Sequence, residues 1–335
     1  MRIEIRNFGQ EEWNNIICQF EGVSLLQTWE FGEAKTKTGL WNVKRMVFHR
    51  GDKMFGAAQV MVKTIPILNR GLVWINRAPL CKKHEGVCID GYADMLTATI
   101  DYWVNQQRMY LRIVPSLLEA EENKRCIEST GLSYLGKGWA SELLDLTCSE
   151  KELRMHLHQK WRNCLSKAER LGVQCAIGNS ADLMSELLFD HRRTLTKNKF
   201  KTSVSQGLIK NIQELLPPAR KMLVFAGRKD GKKLGSILVA GYGDVCIYLV
   251  GALNDDGRKV NAGNYLLWRS VCEMKKRGYK WFDLGGVDPH KTPARILHFK
   301  RGLGAIPYSL VGEFEACNKD LLNLIIKGYI RHFRK

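Results

Sequence analysis

The chain has 335 residues and a mass of 38.3 kDa, which is enough for two domains with cores of their own. Its 52 Lys and Arg against 34 Asp and Glu give a formal net charge of +18, an excess typical of proteins that bind polyanions. A hydrophobic share of 45% with 8 prolines excludes a largely disordered protein. Because it has no apolar run of about eighteen residues and no signal peptide, we expect a cytoplasmic protein.

Metal chemistry has little support in the sequence. The 10 cysteines are scattered without a Cys-x-x-Cys pair, which predicts reduced and mostly buried thiols. His156 and His158 are two residues apart and would point in different directions on a helix. We therefore predict no metal site.

The first strands in chain order form a hairpin. Residues 43–63, VKRMVFHRGDKMFGAAQVMVK, contain two strand-like runs around an Arg-Gly-Asp turn. A helix and a further strand follow in residues 92–115.

A helix is predicted to begin after Ser149, because Ser149 and Glu152 form a capping box. Apolar residues recur at helical spacing up to Gly172, at Leu153, Leu157, Trp161 and Leu165. The opposite face is basic and includes Arg162, Lys167 and Arg170 as candidate contacts to tRNA or other phosphates. A solvated polar face is the alternative interpretation.

The second half repeats the plan of the first. Residues 220–253 contain three strand-like runs separated by Asp-Gly and Gly-Asp turns, and a helix and a strand follow in residues 264–289. We therefore predict two related α/β (α+β) modules, residues 1–147 with a C-terminal helix 318–335, and residues 148–317. This order of elements is typical of the Gcn5-related N-acetyltransferase (GNAT) fold, in which each module is a mixed, mainly antiparallel sheet flanked by helices.

Four stretches carry a resemblance to one family. They are LLQTWEFGEAKTKTGLW (25–41), KWRNCLSKAERLGV (160–173), NYLLWRSVCEMKKRGYKWFDLGGVDP (264–289) and HFKRGLGAIPYSLVGEFE (298–315). In this order the chain resembles the Fem family of peptidyltransferases, FemA, FemB and FemX, which are built from two tandem GNAT-like modules. No long helical insertion of the FemA kind is visible, so the chain is most similar to the compact FemX form.

The resemblance implies transfer of an amino acid from aminoacyl-tRNA to an amine of a peptidoglycan precursor or a related envelope or peptide acceptor. Such a reaction needs alignment, loss of a proton and stabilisation of an oxyanion, but no metal and no bound cofactor. The family's Phe-Lys pair at the reaction centre corresponds to Phe299 and Lys300. The residues that the resemblance places in substrate binding are Lys35, Tyr248 and Lys201.

Two consecutive glycines, Gly285 and Gly286, follow a short apolar strand. Glycine permits a positive φ or a close approach to a ligand, so this pair is predicted to lie beside the acceptor, although a packing bulge is the alternative. Asp283 and Asp288 are candidate proton acceptors, and Asp283 is expected to hold the turn through backbone hydrogen bonds.

One position departs from the family. Val114 stands where family members often carry an aspartate that has been considered as a base, so general base catalysis from that position is excluded. The proton acceptor is therefore open, as is the identity of the acceptor substrate.

Two other functions compete with this one. An acyl-CoA-dependent N-acyltransferase acting on an amino sugar or a lipid-linked glycan would need a phosphate-binding loop at the start of a helix, where this chain has VNAGNY (260–265) with Tyr265 in an obstructing position. A non-catalytic binder of RNA or of the membrane surface is the second alternative.

The C-terminal segment LLNLIIKGYIRHFRK is apolar on one side and basic on the other, which is compatible with peripheral contact at the inner face of the membrane. A helix packed against the first module is the competing interpretation. We expect a monomer whose partners are aminoacyl-tRNA and a nucleotide- or lipid-linked precursor.

Overall fold

The structure is a computed structural model that describes residues 1–20, 22–65, 68, 70–81, 89–198, 204–288, 292–318 and 325–328. Within these ranges the strands are β1 (Arg2–Arg6), β2 (Asn42–Arg50), β3 (Lys53–Ile65), β4 (Arg70–Asn76), β5 (Leu80–Cys81), β6 (Tyr110–Val114), β7 (Ser133–Gly136), β8 (Ala140–Asp145), β9 (Gln174–Gly178), β10 (Leu223–Lys229), β11 (Lys232–Tyr242), β12 (Val245–Leu253), β13 (Trp281–Asp283), β14 (Ile306–Ser309) and β15 (Glu313–Ala316).

The helices of the described residues are α1 (Gln10–Ile17), α2 (Trp29–Thr36), α3 (Ile89–Ile100), α4 (Glu121–Ser129), α5 (Glu150–His156), α6 (Gln159–Arg170), α7 (Ala181–Asn198), α8 (Gln206–Leu215), α9 (Asp255–Lys259), α10 (Ala262–Lys276) and α11 (Ala294–Arg301). A π-helical stretch, Asp101–Gln106, extends α3, and short 3-10 turns occupy Leu25–Gln27 and Pro218–Arg220.

The chain divides into two compact units. Unit 1 consists of Met1–Trp139 and Ser309–Lys335, and unit 2 of Ala140–Tyr308. These boundaries differ from the predicted ones at residues 147 and 317. The reason is strand pairing, because β8 pairs with β13 of unit 2, and β15 pairs with β6 of unit 1.

Unit 1 contains an eight-stranded mixed sheet. Its strand order is β1-β2-β3-β4-β6-β15-β7, with β5 beside β3. β4 and β6 run parallel, whereas the pairs around β2, β3 and β15 are antiparallel. Apolar side chains of the strands pack with those of α3 and its π-helical extension in a core that includes Phe48, Tyr92, Leu111 and Phe314.

Unit 2 contains a seven-stranded mixed sheet in the order β14-β8-β13-β12-β11-β10-β9. β12 and β13 are parallel, and β9 to β12 form an antiparallel run. Helices α6 and α10 cover one face, where Trp161, Leu165, Phe225, Leu266 and Phe282 are buried in one core. The prediction of two modules with mixed, mainly antiparallel sheets is confirmed.

The predicted hairpins are also confirmed, and their irregularities repeat. β2 pairs with β3 with a register shift at Phe48/His49, opposite Gly56. β10 pairs with β11 with the same kind of shift at Gly227/Arg228, opposite Gly235. The internal duplication therefore extends to the position of a β-bulge in each hairpin.

The single helix predicted between Ser149 and Gly172 is wrong in one respect, because it is two helices. The capping box at Ser149 begins α5 as predicted, and Gly172 with φ +71° follows α6. Leu157 and His158 have extended backbone between the two helices. The amide of His158 donates to the carbonyl of Gly302 at 3.0 Å, a long-range contact that helical periodicity does not report.

The C-terminal segment is described at residues 325–328, which are helical. Ile326 is buried, and Lys327 forms an ion pair with the buried Glu315 of β15. Both contacts lie within unit 1. Among the described residues, none of the helices combines the length and apolarity needed to cross a bilayer.

Candidate active site

The parallel strands of unit 2 separate early and form a notch. β12 pairs with β13 only through three residues, from Val245↔Trp281 to Ile247↔Asp283. β12 continues to Leu253 along β11, and a register shift leaves Leu249 as an extra residue just after this point. From Tyr248 onward, β13 therefore provides no partner for β12.

The corresponding strands of unit 1 stay together. β4 pairs with β6 from Leu72↔Tyr110 to Asn76↔Val114, and the amide of Arg77 still donates to the carbonyl of Val114 at 2.8 Å. Val114 thus ends a closed ladder rather than facing a notch. Among the described strands, the early separation of parallel neighbours is therefore found in unit 2.

Gly285 turns the chain away from β12 at the base of the notch. Its φ is +67°, and a Cβ at this position would lie 2.7 Å from the carbonyl oxygen of Tyr248 and 3.6 Å from Nζ of Lys300. A side chain would both strain the backbone and clash with the carbonyl oxygen of Tyr248. The structure thus explains why position 285 is a glycine.

Asp283 holds this turn, as predicted. Its Oδ1 accepts from the amide of Gly285 at 2.8 Å and from the hydroxyl of Ser141. Its Oδ2 accepts from the hydroxyl of Tyr308 at 2.8 Å. Three donors thus satisfy a carboxylate that is 2% exposed, so its lone pairs are used to fix the strand end.

Lys300 places a buried ammonium at the same point. It lies in the last turn of α11, is 7% exposed, and donates from Nζ to the carbonyls of Gly285 and Gly286, both at 3.1 Å. Burial lowers the pKa of Lys300 to about 8, although the negative charges of Asp283 and Glu142 act in the opposite direction. The group can therefore donate hydrogen bonds and can also change its charge near neutral pH.

Two of the predicted site residues near this lysine, Tyr248 and Phe299, are aromatic. Nζ of Lys300 lies 5.3 Å from the ring centroid of Tyr248, and burial raises the pKa of that tyrosine to about 12, so its hydroxyl stays protonated. Phe299 stacks on Trp161 with centroids 6.4 Å apart, and its carbonyl accepts from the indole of Trp161 at 2.9 Å. Tyr248 is thus at the notch, whereas Phe299 packs into the core beside it. Residues 298–301, HFKR, form the end of helix α11.

Glu142 is a charged neighbour that the sequence analysis did not single out. It lies on β8, is 3% exposed, and its Oε1 is 3.3 Å from Nε of Arg301. Burial raises the pKa of Glu142. The only sequence signal was an acid inside the apolar strand ASELLD, which alone does not identify a partner.

Lys35 and Lys201 are the other two side chains predicted to contact substrate. Lys35 lies on α2 of unit 1 and is half-buried, and burial lowers its pKa. Lys201 lies outside the described residues. The substrate roles of Lys35 and Lys201 remain predictions.

The basic face of α6 divides into two kinds of residue. Arg162 donates to the carbonyls of Met155 and Leu157, both at 3.2 Å, and so caps the end of α5. Lys167 and Arg170 are exposed, and Nζ of Lys167 lies 3.5 Å from the carbonyl of Lys259. Lys167 and Arg170 are therefore available to a phosphate, whereas Arg162 has a structural contact.

The helix start considered for an acyl-CoA lies at α10. Asn261 precedes this helix with φ 56° and makes no side-chain capping hydrogen bond. Tyr265 packs against the small cluster that contains Ala168 and Val173. The tyrosine is thus held toward α6 by packing.

The described part of the chain contains no group of three or more His, Cys, Asp or Glu side chains suited to hold a metal ion. The nine cysteines in the described ranges are free thiols. Lys300, Glu142, Asp283 and Tyr248 are among the polar groups at the notch.

Comparisons with known proteins agree with this geometry. Residues 155–301 match the family model described as "Acetyltransferase (GNAT) domain". The structure of FemX superposes with a TM-score of 0.81 at 15% identity and covers 96% of this chain and 100% of that chain. The chain has the tandem GNAT fold of FemX.

Two further structures share this FemX-like fold at lower similarity. L-PGS from Bacillus licheniformis matches with a TM-score of 0.55 at 12% identity, covering 98% of this chain and 99% of that chain. The C-terminal domain of a putative lysylphosphatidylglycerol synthetase from Agrobacterium fabrum matches with a TM-score of 0.59 at 13% identity, covering 95% and 93%. No curated protein matches the sequence significantly. The domain match and the fold together support an acyltransferase.

Proposed function

We propose that the protein is an aminoacyltransferase of the FemX type, which moves an amino acid from aminoacyl-tRNA to an amine of a peptidoglycan precursor or a related envelope or peptide acceptor. The observation that carries this proposal is the buried ammonium of Lys300 at the point where β12 and β13 separate. The aminoacyl ester lies in the notch, with its carbonyl oxygen directed at Nζ of Lys300.

The reaction is a balanced acyl transfer. The acceptor amine attacks the ester carbonyl, a C–N bond forms, and the C–O bond to the ribose breaks. The proton lost by the amine is matched by the proton that the departing ribose oxygen takes up. Lys300 stabilises the tetrahedral oxyanion by a charge-assisted hydrogen bond, which is strongest when the ammonium is fixed in a water-poor setting.

Charge supports a tRNA donor. The chain carries a net charge of +18, and Lys167 and Arg170 are exposed on α6 of the same unit that contains the notch. Phosphate contacts of this kind supply affinity without reading sequence. The name of lysylphosphatidylglycerol synthetase describes an aminoacylated phospholipid, which supports a lipid-linked acceptor as one form of the proposal.

Acyl-CoA-dependent transfer to an amino sugar or a lipid-linked glycan is the second candidate. It is favoured by the GNAT domain match and by the start of α10, where backbone amides lack a side-chain cap from Asn261. The same notch and the same Lys300 would serve this reaction.

A parallel labelling experiment separates the two. Purified protein is incubated with lipid-linked and nucleotide-linked envelope precursors and either a labelled aminoacyl-tRNA mixture or labelled acetyl-CoA. The proposal predicts transfer from tRNA, a loss of at least about a hundredfold in Lys300→Ala, and no change in Lys280→Ala, which removes an exposed lysine of the same unit. Transfer from acetyl-CoA alone would contradict the tRNA donor.

A further inference from the structure

Glu142 is a buried acid for which the transfer reaction provides no direct role. Its Oε1 faces Nε of Arg301 at 3.3 Å, whereas its Oε2 is buried with no hydrogen-bond partner among the described residues. Burying an unpaired polar atom is unfavourable, and it is more unfavourable when the group is charged. A carboxylate in this state is expected to be retained for an electrostatic effect on its neighbours.

The charged neighbours of Glu142 come from two elements. Lys300 and Arg301 approach from α11, and His158 approaches from the start of α6. Their positive charges oppose the effect of burial on the pKa of Glu142, with Arg301 the largest of the three. The Glu142 carboxylate itself is buried, so water screens its side of these charge pairs less than at the surface.

Asp283 is the other acid near Lys300, and its situation is different. Both of its oxygens already accept hydrogen bonds, from Ser141, the amide of Gly285 and Tyr308. Asp283 is therefore committed to the turn. Glu142 has one carboxylate oxygen without a hydrogen bond among the described residues. Its backbone carbonyl accepts from the amide of Leu284 at 2.9 Å, directly before that turn.

We propose that Glu142 is a positioning residue for Lys300, keeping the ammonium charged inside the notch and, through Arg301, holding the last turn of α11 against β8. The role of Lys300 in transfer rests on the proposed function. The charge coupling between Glu142 and Lys300 is a property of the folded chain and can be measured without any substrate.

The test is an NMR titration of the Lys300 side chain in protein labelled with 13C-lysine, assigned by the signal that Lys300→Arg removes. In Glu142→Gln, which keeps the shape and removes the charge, the titration midpoint of Lys300 falls below its wild-type value by roughly half a unit to one unit. Glu142→Asp withdraws the carboxylate by one methylene and gives a smaller fall. Asp182→Asn, which removes an exposed acid of α7, leaves the midpoint unchanged.

An unchanged midpoint in a folded Glu142→Gln overturns the inference, and so does an equal shift in Asp182→Asn. If Glu142→Gln does not fold, an unchanged or raised midpoint in Glu142→Asp has the same meaning. Once a donor is known, the alkaline limb of the transfer rate in Glu142→Gln moves to lower pH by the same amount. A shifted midpoint in a protein that transfers nothing contradicts the proposed function and leaves the coupling intact.

Discussion

Lys300 is held in a state that lowers the stability of the fold. The drop in its pKa from the ordinary 10.5 to about 8 corresponds to roughly 3 kcal/mol of unfavourable burial of the charged form. Its two hydrogen bonds to the carbonyls of Gly285 and Gly286 offset part of that loss. A charge buried at an energetic cost at the base of the notch makes Lys300 a candidate functional residue.

We therefore expect Lys300→Met to abolish transfer and to raise the free energy of unfolding by about 1–3 kcal/mol at pH 7. Between pH 8 and 10.5 the unfolded chain binds more protons at this position than the folded chain, so wild-type stability rises with pH and the gain of the variant disappears. Urea denaturation at several pH values measures this. A gain that persists unchanged above pH 10.5 would be inconsistent with a buried ammonium.

Gly285 gives a second prediction at the level of one residue. Gly285→Ala combines a positive φ with a contact of 2.7 Å to the carbonyl of Tyr248. Gly172→Ala is a matched control, since Gly172 has φ +71° and nothing within 4 Å of its added Cβ. We expect about 1 kcal/mol of destabilisation in the control and at least about 2 kcal/mol more in Gly285→Ala, with loss of transfer. Equal thermal shifts in both variants would refute the close-approach argument.

The residues of the notch differ in how far the sequence predicts them. The roles of Gly285 and Asp283 can be predicted from the sequence, because a turn with a special φ leaves a local signature of glycine after an acid. The role of Glu142 cannot be predicted in this way, because Lys300 and Arg301 lie more than a hundred residues away and only tertiary structure brings them together. Lys300 was found through the family resemblance rather than through its environment.

At the level of elements, α6 is the proposed contact between the notch-bearing unit and a polyanion. Lys160, Lys167 and Arg170 are exposed on it, whereas Arg154 of α5 is paired with Glu169 through both carboxylate oxygens. Only exposed cations can contact the phosphates of tRNA and release the counterions bound to them.

The triple change of Lys160, Lys167 and Arg170 to Glu is therefore expected to weaken aminoacyl-tRNA binding by at least about tenfold and to flatten its salt dependence. The control changes Arg220, Arg228 and Lys232 to Glu, which alters the net charge equally at exposed positions elsewhere in unit 2. Filter binding across a salt series measures both. A similar loss in both variants would mean that net charge, rather than α6, governs binding.

Elements with local signals were predicted and those set by distant contacts were not. The hairpins β2–β3 and β10–β11 follow from strand runs separated by Gly-containing turns. The break between α5 and α6 has no such signal, because the apolar spacing continues through Leu157 and the interruption depends on Gly302. Sequence periodicity reports which face is buried, not where a distant carbonyl ends the helix.

At the scale of the whole molecule, each sheet contains one strand that is out of chain order. β8 precedes the rest of unit 2 yet lies between β13 and β14, and β15 follows all of unit 2 yet lies between β6 and β7 of unit 1. Strand runs and turns predict that these strands exist. They do not predict the pairing partner, so the predicted module boundaries at 147 and 317 fall after β8 and β15 instead of before them.

Unit 2 allows a test of independent folding, because it is continuous in sequence and contains its own core. We expect residues 140–308 to fold alone with a cooperative thermal transition by circular dichroism. Residues 148–308 lack β8, and with it the buried Leu144, the hydroxyl of Ser141 that binds Asp283, and the carboxylate of Glu142. Since β8 also separates β13 from β14 in the sheet, the shorter fragment is expected to show no cooperative transition at 25 °C or above. Similar transitions in both fragments would mean that β8 is peripheral to unit 2 and that its acids do not organise the notch.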